Sequence, residues 1–208
     1  MLIIFDCDGV LRSISLKGLF EAYVAIISYK GKDYREFFTD IYSFGKWFSH
    51  DWHENFRRIG DFSENEFAIA GKIFHAHYDK YVSVFPWVRG ILDELSKNHK
   101  LALLSSSSVV SVRGSLGESC DFFSLMVGSK EVSKLKPHPE GVHLIVDRLA
   151  GQRESTIIIG DGEVDILAGK SAGVKTGAVS WGGVTELDDL KKLSPDMIIH
   201  TPADLLEL

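Results

Sequence analysis

The sequence is poor in residues that staple a chain or leave it unstructured. Two cysteines, Cys7 and Cys120, stand among 208 residues. That is too few for a disulfide framework, and both read as plain thiols of a reducing compartment. Prolines number five and the only low-complexity stretch is Ser105–Ser108, which excludes a Pro-rich or repetitive chain. No apolar run approaches the ~18 residues of a membrane helix. The opening Met1-Leu2-Ile3-Ile4-Phe5 turns acidic at once, without the basic lead of a signal peptide. A cytoplasmic protein with no membrane partner is the expectation. Positive charge is also short: 23 Lys and Arg against 29 Asp and Glu give −6. That argues against a general nucleic-acid binder, whose footprint is basic.

What is present is an ordinary globular composition, 45% apolar and 25% charged, in a chain long enough to bury a core unaided. The aromatic residues are unevenly placed. Seventeen of the 23 fall between Ile14 and Val82. That shift marks residues 14–82 as a module inserted into a core made of residues 1–13 and 83–208. The insert reads as helical. Leu16, Leu19, Phe20, Tyr23, Val24 and Ile27 recur at three- and four-residue spacing, as do Phe67, Ala70, Ile73, Phe74 and Tyr78. Ser63-x-x-Glu66 is a capping signal for the second run, and Gly31, Gly45 and Gly60 are expected breakers.

The flanks follow another rule. Leu2–Phe5, Leu101–Leu104, Ile157–Ile159 and Met197–Ile199 are short continuous apolar runs, the pattern of parallel strands covered on both faces. Helical patterns at 88–96, 109–116, 141–149 and 164–172 fall between them. Alternation of this kind predicts a Rossmann-like open α/β sheet carrying an all-α insert, with its site at the carboxyl ends of the strands.

Chemistry-bearing residues gather at those ends. The first strand runs into Asp6-Cys7-Asp8-Gly9. In an extended chain Asp6 and Asp8 point the same way, and two like charges so placed call for a cation or a shared proton. Leu104 is followed by Ser105 and Ser106, ahead of an expected helix N-terminus suited to an anion. Lys136, in Lys-Pro-His-Pro, is held in an extended loop by the prolines that follow. Ile159 leads into Gly160-Asp161-Gly162-Glu163-Val164-Asp165. There Asp161 and Asp165 share a face if a helix begins at once.

These four segments, in this order, resemble the motifs of the haloacid dehalogenase superfamily in its Mg²⁺-dependent phosphatase branch. Asp6-Cys7-Asp8-Gly9-Val10-Leu11 is similar to the first motif, Ser105 to the second, Lys136 to the third and Gly160-Asp161-x-x-x-Asp165 to the fourth. The insert resembles the helical cap of phosphoglycolate phosphatase-like and β-phosphoglucomutase-like members. The resemblance implies Asp6 as a nucleophile forming an aspartyl phosphate and Asp8 as general acid and then base. It implies Mg²⁺ on Asp6, the Asp8 backbone carbonyl, Asp161 and Asp165. Ser105 and the Ser106 N–H would bind the phosphoryl oxygens, and Lys136 would offset charge. The implied partner is a small phosphorylated metabolite.

Two departures stand out: Gly162 replaces the usual hydroxyl residue after the fourth-motif Asp, and Arg12-Ser13 replaces a commoner apolar-Asp-Ser entry to the cap. Neither removes a principal group. Lys46, Trp47, Arg57 and Arg58 are candidate substrate contacts in the cap. Gly169-Lys170-Ser171 falls inside a helical pattern and is discounted as a phosphate loop. His50-x-x-His53 and His75-x-His77 read as ordinary cap histidines. A phosphomutase would use the same aspartyl phosphate, and a catalytically idle binding member is a third alternative. Release of inorganic phosphate, as against sugar-phosphate isomerisation, separates the first two, and any turnover excludes the third.

Overall fold

The structure, a computed structural model, describes residues 1–49, 52–182 and 185–208. The chain divides into two compact units, Met1–Ser13 with Ser83–Leu208, and Ile14–Val82.

The first unit is built on six strands, β1 (Leu2–Phe5), β2 (Lys100–Leu104), β3 (Leu125–Val127), β4 (Thr156–Gly160), β5 (Lys175–Val179) and β6 (Met197–Ile199). They form one sheet in the order β3-β2-β1-β4-β5-β6, and every pairing is parallel. Parallel neighbours need crossovers, and helices supply most of them. The sheet is a Rossmann-like α/β core, as the alternating pattern predicts.

Side-chain alternation divides each strand between two cores. Ile3, Phe5, Leu101, Leu103, Ile157 and Ile159 pack with Val88, Leu92, Val112 and Leu116. Leu2, Ile4, Ala102, Leu104 and Ile158 pack with Val142, Ile145, Ala168 and Ala172. Both faces are therefore dry, and the strands carry no polar alternation. Within the insert the helices are α1 (Leu16–Tyr29), α2 (Ile41–Trp47), α3 (Trp52–Ile59) and α4 (Glu64–Tyr78). In the sheet unit they are α5 (Val88–Ser96), α6 (Val109–Leu116), α7 (Glu140–Arg148), α8 (Glu163–Ala172) and α9 (Leu187–Lys192). The buried apolar residues of α5 and α6 lie in the first core, and those of α7 with Ala168 and Ala172 of α8 in the second; Ile166 of α8 packs with Ala178 and Leu190. No helix among the described residues is long and apolar enough to cross a membrane.

The second unit packs α1 against α4. Leu19, Ala22, Tyr23, Ile26 and Ile27 meet Ala70, Phe74 and Tyr78, with Phe44, Phe56 and Ile59 closing the cluster. Tyr23 is its centre, with ring centroids 5.7 Å from Phe44 and 5.6 Å from Trp47. Its buried hydroxyl accepts from Asn55 Nδ2 at 3.0 Å, so the polar end is satisfied. The Ser63–Glu66 capping box forms as expected. Gly31 and Gly60 do end helical stretches at positive φ. Gly45 does not: it lies inside α2, whose start is held by Asp40 accepting from the Ser43 N–H at 2.7 Å.

Candidate active site

Strand pairing sets the level of each group at the sheet edge. Phe5 lies level with Leu103 and Ile159. The ladder runs one residue further, with the Asp6 N–H donating to the Ile159 carbonyl at 2.9 Å. Asp6 therefore leaves β1 level with Leu104 and Gly160, one residue before Ser105 leaves β2 and Asp161 leaves β4. Ser105 is fixed likewise, its N–H donating to the Val127 carbonyl at 2.9 Å.

Three carboxylates and one ammonium meet there. Lys136 Nζ lies 2.7 Å from Asp6 Oδ1 and 2.6 Å from Asp165 Oδ1, and it donates to the Leu104 carbonyl at 3.2 Å. Far from a solvated surface lysine, Lys136 is buried. Its loop position is the predicted one, just ahead of α7. Asp6, Asp161 and Asp165 each offer an oxygen within 4.8 Å of the others, and all three are buried. α8 begins at Glu163, so Asp161 and Asp165 do not share a helix face. Asp161 sits at the strand end. Asp165 sits in the first turn of α8, where its second oxygen accepts from the Gly162 N–H at 3.1 Å.

The electrostatics follow from this count. Burial pushes the Asp6 carboxyl up to about 7; Lys136 opposes the rise and Asp165 adds to it. Burial, then Asp6 and Asp165, push Asp161 well above the usual carboxylate range. Burial alone would lower Lys136, but Asp165 and Asp6 beside it raise it above an ordinary lysine. One ammonium thus serves three buried carboxylates. Asp161 Oδ2 is buried with no hydrogen-bond partner among the described residues, an arrangement that costs free energy unless something pairs with it. The donor set is all oxygen and mostly carboxylate, which suits a hard divalent cation.

Two glycines make room for Asp161. A Cβ on Gly9, whose φ is +77°, would lie 2.0 Å from Asp161 Oδ2, and one on Gly182 would lie 2.2 Å from the Asp161 Cβ. Backbone from beyond β1 and from beyond β5 therefore closes on this carboxylate without side chains.

Asp8 takes a different course from the expected convergence. Its carboxylate stays outside the group of three and pairs with Arg12, Nε to Oδ1 at 2.8 Å and the second guanidinium nitrogen to Oδ2 at 3.1 Å. Ser107 Oγ donates to Asp8 Oδ2 at 3.3 Å. Cys7, between the two acids, is buried, and burial with Asp8 raises its thiol well above the usual range. Ser105 is buried, and its Oγ accepts the Ser107 N–H at 3.0 Å. Ser106 is half-buried. α6 spans Val109–Leu116, as its pattern predicts, with Ser108 as its cap. The contacts of Arg12 and Ser107 with Asp8 are what residue patterns leave out. The available signal is an arginine four places after Asp8, in a turn where that spacing has no obvious meaning.

The cap candidates lie in the other unit. Trp47 belongs to the aromatic cluster, 5.2 Å from Phe38 between ring centroids. Arg58 donates to the Trp47 carbonyl and pairs with Glu54. Lys46 Nζ lies 4.5 Å from the centre of the Tyr42 ring, and Arg57 is exposed on α3. The structure thus joins Trp47 to Arg58 and leaves Lys46 against a different ring. His50 lies outside the described residues, as does the side chain of His53. His75 lies 3.4 Å from Asp79 on the surface of α4.

Comparison with known proteins gives the family and the fold. Residues 3–179 match the haloacid dehalogenase-like hydrolase family. A protein named pyrophosphatase PpaX from Oceanobacillus iheyensis is 33% identical over 134 residues, 63% of this chain and 62% of that one. Its namesake from Bacillus cereus is 27% identical over 99% of this chain and 94% of its own length. The solved structure of a haloacid dehalogenase-like family hydrolase, SP0104 from Streptococcus pneumoniae, shares the fold. Its TM-score is 0.77 at 24% identity, covering 99% of this chain and 96% of that one. The chain belongs to the haloacid dehalogenase-like hydrolase family.

Proposed function

We propose that this hydrolase is a Mg²⁺-dependent phosphatase that cleaves small phosphorylated metabolites through an aspartyl phosphate on Asp6. The observation that carries the reading is the buried trio of Asp6, Asp161 and Asp165, in which Lys136 pairs with Asp6 and Asp165 and Asp161 Oδ2 has no hydrogen-bond partner among the described residues. The residues fit the ion. Asp6, Asp161 and Asp165 would hold it together with the Asp8 backbone carbonyl. Bound there, Mg²⁺ supplies charge compensation for the phosphoryl oxygens.

The chain's own groups do the rest. The Asp6 carboxylate attacks phosphorus while the bond to the leaving oxygen breaks, and that oxygen takes a proton from the Asp8 carboxyl. Lys136 favours the ionised, nucleophilic form of Asp6 and offsets charge on the phosphoryl group. Ser105 and the Ser106 N–H bind the phosphoryl oxygens as the first strand's neighbour comes to its end. Asp8, now a carboxylate, takes a proton from water, whose oxygen attacks the same phosphorus. Inorganic phosphate leaves and Asp6 is restored.

Residues 14–82 are the cap in this reading, and Lys46, Trp47, Arg57 and Arg58 are its substrate-contact candidates. The names of the two matched relatives put pyrophosphate first among substrates to try. Phosphoglycolate and hexose phosphates come next. The test is release of inorganic phosphate from a panel of phosphorylated metabolites, with and without Mg²⁺. Mg²⁺-dependent release from at least one supports the reading. Isomerisation of a sugar phosphate without net release makes the chain a mutase, and no turnover of any member rejects catalysis.

A further inference from the structure

The segment after β1 folds back on itself. The Cys7 carbonyl accepts from the N–H groups of Leu11 at 2.9 Å and Arg12 at 3.1 Å, and the Gly9 N–H donates to the Arg12 carbonyl at 2.8 Å. Residue 12 therefore returns beside residue 8. The Arg12 side chain is 1% exposed, against 23% for Asp8, and a guanidinium is rarely buried so completely without a purpose for its fork. Two of its nitrogens meet the two oxygens of Asp8. A third donates to Ser115 Oγ on α6 at 2.8 Å.

We infer that Arg12 is a positioning residue for catalysis: it fixes the plane of the Asp8 carboxylate from behind, braced on α6 through Ser115. The inference rests on the acid–base reading of Asp8. Two parallel contacts fix the orientation of a carboxylate where one contact leaves it free to swivel. Proton transfer to a leaving oxygen and from a water needs one fixed direction for both steps. A lysine at this position keeps the charge but cannot make the fork. The entry to the cap, where the family more often has an apolar residue and an Asp, thus carries in this chain a device for holding the acid–base group.

The test is a kinetic cycle on the full chain in saturating Mg²⁺, using glycerol phosphate and para-nitrophenyl phosphate. Arg12→Met is expected to lower kcat for glycerol phosphate roughly 10- to 100-fold, as a mispositioned group does, with KM changed less than ~2-fold. The loss is smaller with para-nitrophenyl phosphate, whose leaving group needs little protonation. Arg12→Lys recovers only part of the rate. Ser115→Ala, which touches neither Asp8 nor the charge, costs a few-fold and guards against misfolding of the first variant; circular dichroism checks that both are folded. In an Asp8→Asn background, Arg12→Met should change the residual rate less than ~2-fold, because there is no longer an acid–base group to hold. A wild-type kcat in Arg12→Met overturns the inference. So does an equal loss from Arg12→Met with Asp8 and with Asn at position 8, which would give Arg12 an independent role. A rise in KM alone would make Arg12 a substrate contact and overturn it too. If Asp8→Asn itself turns over at the wild-type rate, the acid–base reading fails first, and Arg12's role fails with it.

Discussion

Replacing Lys136 with Met removes the one ammonium that serves three buried carboxylates and keeps a side chain of similar length. Lys136 makes ion pairs of 2.7 and 2.6 Å and a hydrogen bond to the Leu104 carbonyl. Breaking a buried pair by removing one partner costs about 3–5 kcal/mol. The carboxylates can relieve part of that by taking up protons, as Asp6, already pushed up to about 7, is poised to do. The sign follows. In the variant the folded carboxylates hold protons that the unfolded chain releases, so stability falls as pH rises. The deficit relative to wild type should therefore be small near pH 5 and approach the full ~3–5 kcal/mol near pH 8. Urea unfolding in chelator, followed by circular dichroism at both pH values, measures it. Mg²⁺ should return part of the loss by binding only the folded form. Equal stability of variant and wild type at pH 8 would refute the reasoning, as would a deficit that does not change with pH.

Other outcomes follow from the same cluster. The metal-free wild-type protein should lose stability as pH rises from about 4 to about 7, because Asp6 and Asp161 are raised in the folded state. For Asp6 the effect is on the order of 4 kcal/mol at about 1.4 kcal/mol per pKa unit, and Mg²⁺ should flatten the slope. Mg²⁺ should raise the melting temperature and be required for turnover. Asp161→Ala should abolish the thermal shift, and Asp165→Ala should reduce it; a full shift in Asp161→Ala would remove Asp161 from the metal site. Gly182→Ala places a Cβ 2.2 Å from that of Asp161. It should lower activity by ~10-fold or more through displacement of that carboxylate, with the circular dichroism spectrum unchanged.

The strands legible in sequence are the continuous aliphatic runs: β1, β2 and β4, buried on both faces, and β6, of which only Ile199 is fully buried. β3 is three residues long, too short for any periodicity. β5 is Lys-Thr-Gly-Ala-Val, with a glycine at its centre because a Cβ on Gly177 would crowd Ile199 Cδ1 at 3.1 Å. Small residues there are a packing solution and not a strand signal. α2 was hidden by Gly45, which α2 tolerates once Phe44 and Trp47 are packed in the aromatic cluster. At the site, Asp6, Lys136, Asp161 and Asp165 stood out because each follows a readable strand or precedes a readable helix. Arg12 did not. Its meaning depends on a turn that returns it to Asp8 and on Ser115, a partner 103 positions away. Pairings of that kind exist only in three dimensions.

The central claim is that phosphorus passes through Asp6. The direct measurement is acid quenching of the enzyme during turnover of a radiolabelled phosphate ester, followed by peptide mapping. The account predicts label on the peptide containing Asp6, stable to acid and released by hydroxylamine as an acyl phosphate is. It also predicts no label and almost no turnover in a folded Asp6→Asn variant. Turnover without label on that peptide, label on another residue, or an active Asp6→Asn enzyme would contradict it.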